Sequence, residues 1–375
     1  MTGAARLGTP SSLAPVARRV AGVDAARGLA LIGMFVAHVA PVAASADLVS
    51  LIAIADERPR LLFALTAGMG LAFISGGIRP IVDGRRTLRR QIAIRAVILI
   101  VLGLLIAATL HPLVFIILDV YGVAFLVMLP LLFIPARAAL GVGIALLAIM
   151  PGLAELASAT DLVAELQLGP FAIIVDWFVS GAYPVVEWVP VMMIGLALVR
   201  LDLGSPRVVA LAALVGAATA AVLLPIVALM PGGVAAPLDV EVEVDPAVSA
   251  LRTSLEALGN VGAGVVVVAG MLLLTFFARP QVRRVAGVVL SPVIAMGSMP
   301  LTIYTLHLVV LAASIRVENG YYTDDSGELL FGLVVGSMVF AWLWRHYLGR
   351  GPLERMLRWA SGRSRADAAR ATTPE

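Results

Sequence analysis

Ten apolar stretches, separated by short polar segments, constrain the fold of this chain more than any other feature. Hydrophobic residues make up 61% of the chain and charged residues 14%, which is more apolar surface than one water-soluble core of this length can bury. A helix of about 20 apolar residues crosses the ~30 Å core of a bilayer. The sequence therefore predicts an all-α fold, a polytopic membrane helix bundle of about ten transmembrane helices. The stretches lie near residues 22–44, 60–78, 93–110, 113–134, 138–154, 184–199, 207–230, 257–278, 299–315 and 329–345.

The segment 286–298 is too short to span alone, and it predicts a half-helix or interfacial piece that leads into the ninth span. Residues 156–183 are long enough to fold over the mouth of a cavity. The predicted organisation is a cytoplasmic tail (1–20), a single transmembrane domain (21–346) and a second cytoplasmic tail (347–375).

The distribution of arginine predicts the orientation of the spans. All 27 basic residues are arginine. If both termini are cytoplasmic, all of them fall on inner segments except Arg58, Arg60, Arg252 and Arg316. Positively charged residues resist translocation, so we expect an N-in, C-in topology. The same distribution explains the isoelectric point near 9.7, and no nucleic-acid partner is expected.

The first predicted span has the most informative polar residues. Ionisable residues within a span are costly, so each one is a functional candidate. Arg27 and His38 are eleven residues apart, so they share a helix face at a separation of about 16 Å along the axis. Asp24 can pair with Arg27. This spacing fits the pantetheine arm of coenzyme A, with its phosphates near the cytoplasm and an imidazole deeper in the membrane. It also fits an arginine at the lipid headgroups and a histidine hydrogen-bonded between helices.

The ionisable residues of the later spans have alternative interpretations. His307 follows Tyr304 by three residues on one helix face, and it belongs either to a site or to a helix-packing hydrogen bond. Asp119 is expected to face a cavity near the outer leaflet or to pair with a histidine. The predicted depths of His38 and His307 are similar, so we predict that the two rings approach each other in one polar site.

Several classes of site have no sequence signal. Cysteine is absent, and no cluster of histidine and carboxylate has metal-ligand spacing, so no metal is expected. The chain has neither a P-loop nor a G-x-G-x-x-G that opens a helix. A G-x-S-x-G nucleophile elbow is also absent.

Six motifs, in order along the chain, resemble a known superfamily. The first, RVAGVDAARGLALIGMFVAH (19–38), resembles the first span of the transmembrane acyltransferases, which include the acyltransferase-3 proteins and the heparan-alpha-glucosaminide N-acetyltransferases. The others resemble later spans of the YeiB-like bacterial branch, a domain of unknown function. They are DERPRLLFALTAGMGLAF (56–73), ILDVYGVAFL (117–126), YPVVEWVPVMMIGLALVR (183–200), GSMPLTIYTLHL (297–308) and GRGPLERMLR (349–358).

The resemblance implies a multi-pass acyltransferase of the bacterial plasma membrane, in contact with membrane lipid. The donor would be cytoplasmic acetyl-CoA or another acyl-CoA, and the acceptor an extracytoplasmic glycan or glycolipid. His38 matches the histidine at the end of the first span of acyltransferase-3 proteins. The heparan enzymes have asparagine there and a histidine in the following loop, whereas residues 39–58 of this chain contain no histidine. A homo-oligomer is compatible with the resemblance.

These arguments predict two sets of site residues. The predicted catalytic residues are His38, as general base, together with His307 and Asp119. The predicted donor-binding residues are Asp24, Arg27, Arg85, Arg86 and Tyr304, in which the arginines contact phosphate groups. The alternative is a transporter or exporter of a small lipid-like or anionic solute, with the buried histidines and Asp119 as a proton relay.

Overall fold

A computed structural model describes residues 13–40, 58–233, 244–318 and 320–362, with side chains from residue 21 onward. The predicted tails 1–20 and 347–375 lie partly outside these ranges. The described part of the chain is almost entirely helical. The helices are α1 (Leu13–Val39), α2 (Arg58–Ile74), α3 (Arg85–Leu110), α4 (Leu118–Leu131), α5 (Ala136–Ser158), α6 (Asp161–Gln167), α7 (Ala172–Val175), α8 (Val185–Arg200), α9 (Pro206–Leu229), α10 (Pro246–Leu272), α11 (Pro280–Val289), α12 (Ser291–Ser298), α13 (Pro300–Ser314), α14 (Gly327–Tyr347) and α15 (Pro352–Ala360).

Three short elements complete the described structure. Two π-helical turns, Asp176–Ser180 and Leu273–Phe277, follow α7 and α10. A hairpin of two antiparallel strands, β1 (Arg316–Glu318) and β2 (Tyr321–Thr323), connects α13 to α14. The backbone N–H of Ser326 donates a hydrogen bond to the carbonyl of Val39 at 3.1 Å, so this connection lies against the end of α1.

The length and composition of the helices identify six to eight membrane spans. Each of the ten predicted stretches overlaps a helix, although residues 41–44 of the first lie outside the described ranges. Among the helices of the described ranges, only α1, α3, α5, α9, α10 and α14 are long and apolar enough to span by themselves. Two bent pairs, residues 172–180 with α8 and α12 with α13, would each add one span. The structure therefore establishes an all-α polytopic membrane protein, and the count of ten stays a prediction.

The described parts of the two helices outside this count are short, and protein surrounds much of their surface. Helix α2 has 17 residues, twelve of them buried within the bundle. Helix α4 has 14 residues. A helix that packs mainly on other helices need not match the thickness of the hydrocarbon core, so its length is a weak guide to whether it spans.

The ninth predicted span begins with a sharp break. Helices α12 and α13 are bent by 90° around Met299. The predicted half-helix is confirmed, although it begins at Ser291, because the preceding residues form the separate helix α11. At the break, Arg27 donates a hydrogen bond to the carbonyl of Gly297 at 3.1 Å. The Glu354 carboxylate accepts hydrogen bonds from the backbone N–H groups of Leu301 and Thr302 at 2.8 and 3.1 Å.

Two glycines allow α1 and α12 to cross at close range. A Cβ atom on Gly297 would overlap the carbonyl of Asp24 and would lie 2.7 Å from the backbone nitrogen of Gly28. A Cβ atom on Gly28 would overlap the backbone of Val293. Small residues at a helix crossing let the backbones approach closely, as is common within membranes. The position of α12 against α1 therefore depends on the absence of side chains at these two residues.

We expect the substitution Gly297→Ala to lower the thermal stability of the purified protein in detergent. The added methyl group would separate α1 from α12, and overpacking of this kind costs about 1–3 kcal/mol. Gly332→Ala is the matched control, because an added Cβ atom there has no neighbour within 4 Å. Replacing an exposed helical glycine by alanine stabilises by up to about 1 kcal/mol. Equal melting temperatures for the two variants would contradict the close crossing.

Candidate functional site

Two imidazoles, one from α1 and one from α13, meet inside the bundle. Nδ1 of His38 lies 3.2 Å from Nε2 of His307, and the ring centroids are 5.4 Å apart. His307 is only 1% exposed, and its ring packs against Phe35 and Tyr304. The predicted approach of the two histidines is confirmed.

The hydrogen bonds of this pair determine which ring nitrogens carry protons. Nδ1 of His307 lies 2.5 Å from the carbonyl oxygen of Tyr304. A carbonyl oxygen can only accept, so this nitrogen donates. A neutral imidazole has one N–H group, so Nε2 of His307 accepts a hydrogen bond from Nδ1 of His38. In the neutral pair, the free lone pair of His38 is therefore on Nε2.

A cavity of about 450 Å³, here called the His38 cavity, lies beside the imidazole ring of His38. The guanidinium of Arg60 forms an ion pair with Glu187 at 2.9 Å and lies 5.8 Å from the centroid of the Tyr183 ring. The sequence alone predicts only that Arg60 lies in an outer segment, because its partner is far away along the chain. The lining of the His38 cavity includes Met34, His38, Arg60, Phe115, Ala182 and Tyr183.

A second cavity, of about 240 Å³, is here called the Arg27 cavity. The ring of Tyr304 lines it and also contacts the ring of His307, at 4.7 Å between centroids. His307 therefore contacts one residue of each cavity, Tyr304 here and His38 in the His38 cavity. The lining of the Arg27 cavity includes Arg27, Arg95, Tyr121, Ser298, Tyr304 and Glu354.

Arg27 connects three helices at the edge of this cavity. Its guanidinium forms an ion pair with Asp24 at 3.0 Å, which confirms the predicted pairing. The same group donates to the carbonyl of Gly297 on α12 at 3.1 Å and to that of Thr66 on α2 at 2.8 Å. Several N–H groups of the Arg27 guanidinium therefore already donate hydrogen bonds to other residues of the protein.

Arg95 is a cation of the Arg27 cavity that sequence analysis did not assign to the site. Its Nε is buried and has no hydrogen-bond partner among the described residues. Arg95 is the third residue of the predicted span 93–110, so its depth was a signal. Arg95 lies near the predicted start of that span, and a shift of the start by a few residues would place Arg95 in the preceding loop. Its position in the sequence therefore does not distinguish a buried cation from a loop residue.

Tyr304 orients His307 through its backbone rather than through its phenol. The phenol oxygen instead accepts a hydrogen bond from the backbone N–H of Ile117 at 3.0 Å. Asp119 accepts a hydrogen bond from Nε1 of Trp177 at 2.8 Å, so the segment between α5 and α8 contacts α4. The other carboxylate oxygen of Asp119 is buried without a partner among the described residues. The predicted catalytic role of Asp119 stays a prediction.

Arg85 and Arg86 lie outside the Arg27 cavity. Both are exposed at the start of α3. Arg85 donates to the carbonyl of Ile81 at 2.7 Å, and its guanidinium lies 4.8 Å from the centroid of the Phe133 ring. Their contact with donor phosphates stays a prediction. In the described ranges, no group of three or more histidines and carboxylates could hold a metal ion.

Comparison with known families gives two matches that together extend over most of the bundle. Residues 19–225, more than half of the chain, match the family model described as heparan-alpha-glucosaminide N-acetyltransferase, catalytic. Residues 205–364 match the model described as protein of unknown function (DUF418). No curated protein and no solved structure matches. The chain therefore belongs to the heparan-alpha-glucosaminide N-acetyltransferase-like and YeiB-like branch of the transmembrane acyltransferases.

Proposed function

We propose that this protein transfers an acetyl group from cytoplasmic acetyl-CoA to a glycan or glycolipid on the opposite side of a bacterial plasma membrane. The observation that best supports this proposal is the pair of cavities linked by His38, His307 and Tyr304. A donor and an acceptor that approach from opposite sides need two cavities that meet at one reactive group.

The Arg27 cavity is the proposed donor site. Its volume of about 240 Å³ can hold the thioester end of the pantetheine arm but not the nucleotide. Arg27 and Arg95 bring guanidinium N–H groups to this cavity, and such groups can donate charge-assisted hydrogen bonds to the amide and thioester carbonyls of the pantetheine arm. Arg85 and Arg86 remain the proposed partners of the nucleotide phosphates outside it. Leu357 and Glu354 of α15 also line the cavity, so the C-terminal helix forms part of its wall.

The His38 cavity and its neighbour are the proposed acceptor site. A further cavity of about 460 Å³ shares Arg60 and Ala182 with the His38 cavity and is also lined by Glu155, Glu187 and Glu256. The hydroxyls of Ser158, Ser180 and Thr253 line the same space. A small number of well-placed polar groups gives such a site its specificity. Carboxylates and hydroxyls accept hydrogen bonds from the hydroxyl groups of a sugar, which favours a glycan acceptor.

His38 is the proposed general base. Its Nε2 accepts the proton of the acceptor hydroxyl or amine, whose oxygen or nitrogen attacks the thioester carbonyl carbon. The carbon–sulfur bond then breaks, and the coenzyme A thiolate takes up the proton. His307 holds the His38 ring through the 3.2 Å contact. The Tyr304 hydroxyl uses its oxygen to accept the Ile117 N–H, and its proton is the proposed donor to the thioester carbonyl.

We expect the substitution Arg95→Gln to weaken the binding of acetyl-CoA by about tenfold or more, because a charge-assisted hydrogen bond contributes about 1.5–3 kcal/mol. Arg137→Gln is the matched control, since Arg137 is exposed and lines neither cavity of the proposed site. Isothermal titration of the purified full chain measures both affinities. Equal affinities for wild type and Arg95→Gln would exclude Arg95 from the donor site.

We expect the substitution His38→Ala to reduce acetyl transfer by roughly 10²–10⁴-fold, the usual contribution of a general base, with acetyl-CoA binding retained. The measurement is the incorporation of labelled acetyl groups into envelope glycans in membranes. His111→Asn is the control, because His111 is exposed and has a φ of 45° that asparagine tolerates. Full transfer by His38→Ala would contradict its role as the base.

The alternative function is a proton-coupled transporter, which the hydrogen-bonded pair also favours. His38 and His307 form a continuous hydrogen-bond chain with the Tyr304 carbonyl, and buried titratable groups of this kind occur in proton relays. The two functions differ in their use of acetyl-CoA. A wild-type protein that neither binds acetyl-CoA nor consumes it, and that moves a solute in a proton gradient, would support the transporter instead.

We also propose ten spans with both termini in the cytoplasm, on the basis of the arginine distribution. Single cysteines at Arg86 and Tyr322 should react with an impermeant maleimide from opposite sides of the membrane, with Tyr322→Cys labelled from outside. The chain has no native cysteine. Tyr322 is 73% exposed, whereas the neighbouring Asp324 is only 3% exposed and is a poor labelling site. Labelling of both positions from the same side of the membrane would contradict the proposed topology.

A further inference from the structure

A cavity of about 830 Å³ lies apart from the proposed transfer site. We call it the Arg283 cavity. It is bounded by Ala21 of α1, the π-helical turn after α10, α11, α12 and the end of α14. It shares no lining residue with the Arg27 cavity. The lining residues that matter here are Arg283, Arg284, Gly287, Trp342, Arg345 and His346. None of them has a role in the proposed reaction.

The Arg283 cavity is strongly cationic. In the described part of the chain, no carboxylate forms an ion pair with Arg283, Arg284 or Arg345. Arg283 donates to the carbonyl of Phe276 at 3.5 Å, and Arg345 to that of Ile294 at 3.2 Å. A guanidinium has five N–H groups, so these contacts leave donors for a ligand. Arg345 also interacts electrostatically with Asp24 of α1, so the uncompensated positive charge lies mainly on Arg283 and Arg284, and it favours an anionic ligand.

The surroundings of this cavity favour a ligand that is partly in lipid. Helix α11 presents Arg283 and Arg284 to the cavity, while Val282, Val285 and Val289 form an apolar stripe that is 48%, 62% and 67% exposed. A short helix with one cationic and one apolar face lies in the membrane interface. Trp342, which also lines the cavity, is 44% exposed, and tryptophan is enriched at the same depth.

We propose that the Arg283 cavity binds the phosphate group of an anionic phospholipid from the cytoplasmic leaflet. Basic pockets between transmembrane helices on the cytoplasmic side are suited to anionic headgroups. The arginines form charge-assisted hydrogen bonds with the phosphate oxygens. A soluble phosphate monoester offers the same oxygens without acyl chains, and the exposed valines of α11 favour the lipid.

The test is a lipid titration of the full-length protein, purified in detergent and stripped of lipid. Native mass spectrometry should record tighter binding of phosphatidylglycerol than of phosphatidylcholine. The double variant Arg283→Gln/Arg284→Gln should weaken phosphatidylglycerol binding by about tenfold or more, and Arg137→Gln should leave it unchanged. Gly287→Phe should also weaken it by filling the cavity, because a Cβ atom at Gly287 has no neighbour within 4 Å.

Two further titrations identify the source of the phosphate and separate this site from the donor site. Glycerol phosphate should bind far more weakly than phosphatidylglycerol; equal binding would overturn the lipid assignment in favour of a soluble ligand. Acetyl-CoA binding should be unchanged in the double variant, and a parallel loss would assign the cavity to the donor. Retained phosphatidylglycerol binding by correctly folded variants, judged by unchanged melting temperatures, would overturn the proposal altogether.

Discussion

The break between α12 and α13 requires hydrogen-bond partners for the backbone groups at the two helix ends, and the rest of the site depends on the side chains that supply them. An unsatisfied buried backbone N–H or C=O group is costly in any protein and costs several kcal/mol in the hydrocarbon core of a bilayer. A 90° bend leaves such groups at both helix ends. Arg27 satisfies the carbonyl of Gly297, and Glu354 satisfies two N–H groups at the start of α13. These charges also match the helix dipoles, because the Arg27 cation lies at the C-terminus of α12 and the Glu354 carboxylate lies at the N-terminus of α13. Both side chains also line the Arg27 cavity, so the contacts that stabilise the break also form the proposed donor site.

The position of the histidine pair follows from the same contacts. Arg27 and the glycine crossing fix α1 against α12, and three helical turns along α1 bring the chain to His38. Helix α13 begins at Pro300, directly after the break, so His307 lies on its third turn. A shift of α12 along α1 would therefore move His307 relative to His38. This coupling explains why two residues that are 269 positions apart in the sequence can form a 3.2 Å contact.

The sequence alone predicts the features that depend on local spacing or on depth in the membrane. The Asp24–Arg27 pair, the half-helix before the ninth span and the approach of His38 to His307 are of this kind. The pairs Arg60–Glu187 and Trp177–Asp119 join residues 127 and 58 positions apart, and Glu354 reaches α13 from a separate helix. No periodicity in a single sequence encodes such contacts, because they depend on which helices become neighbours. Length and composition do not decide whether α2 and α4 span the membrane, because a helix enclosed by protein needs no particular length, and the count of ten spans stays a prediction.

The geometry of the histidine pair limits how many protons it can hold. Two imidazolium rings would repel by about 3 to 5 kcal/mol at an effective dielectric of ~20, for separations between the 5.4 Å of the centroids and the 3.2 Å of the facing nitrogens. His307 would also have to place a second N–H opposite the N–H of His38. The pair therefore does not hold two extra protons at once. A general base in acyl transfer needs this property, since it removes one proton from the acceptor and returns one to the leaving thiolate. The Tyr304 carbonyl keeps Nδ1 of His307 protonated. Nε2 of His38 is therefore the nitrogen of the pair with a free lone pair, and His38 lines the His38 cavity.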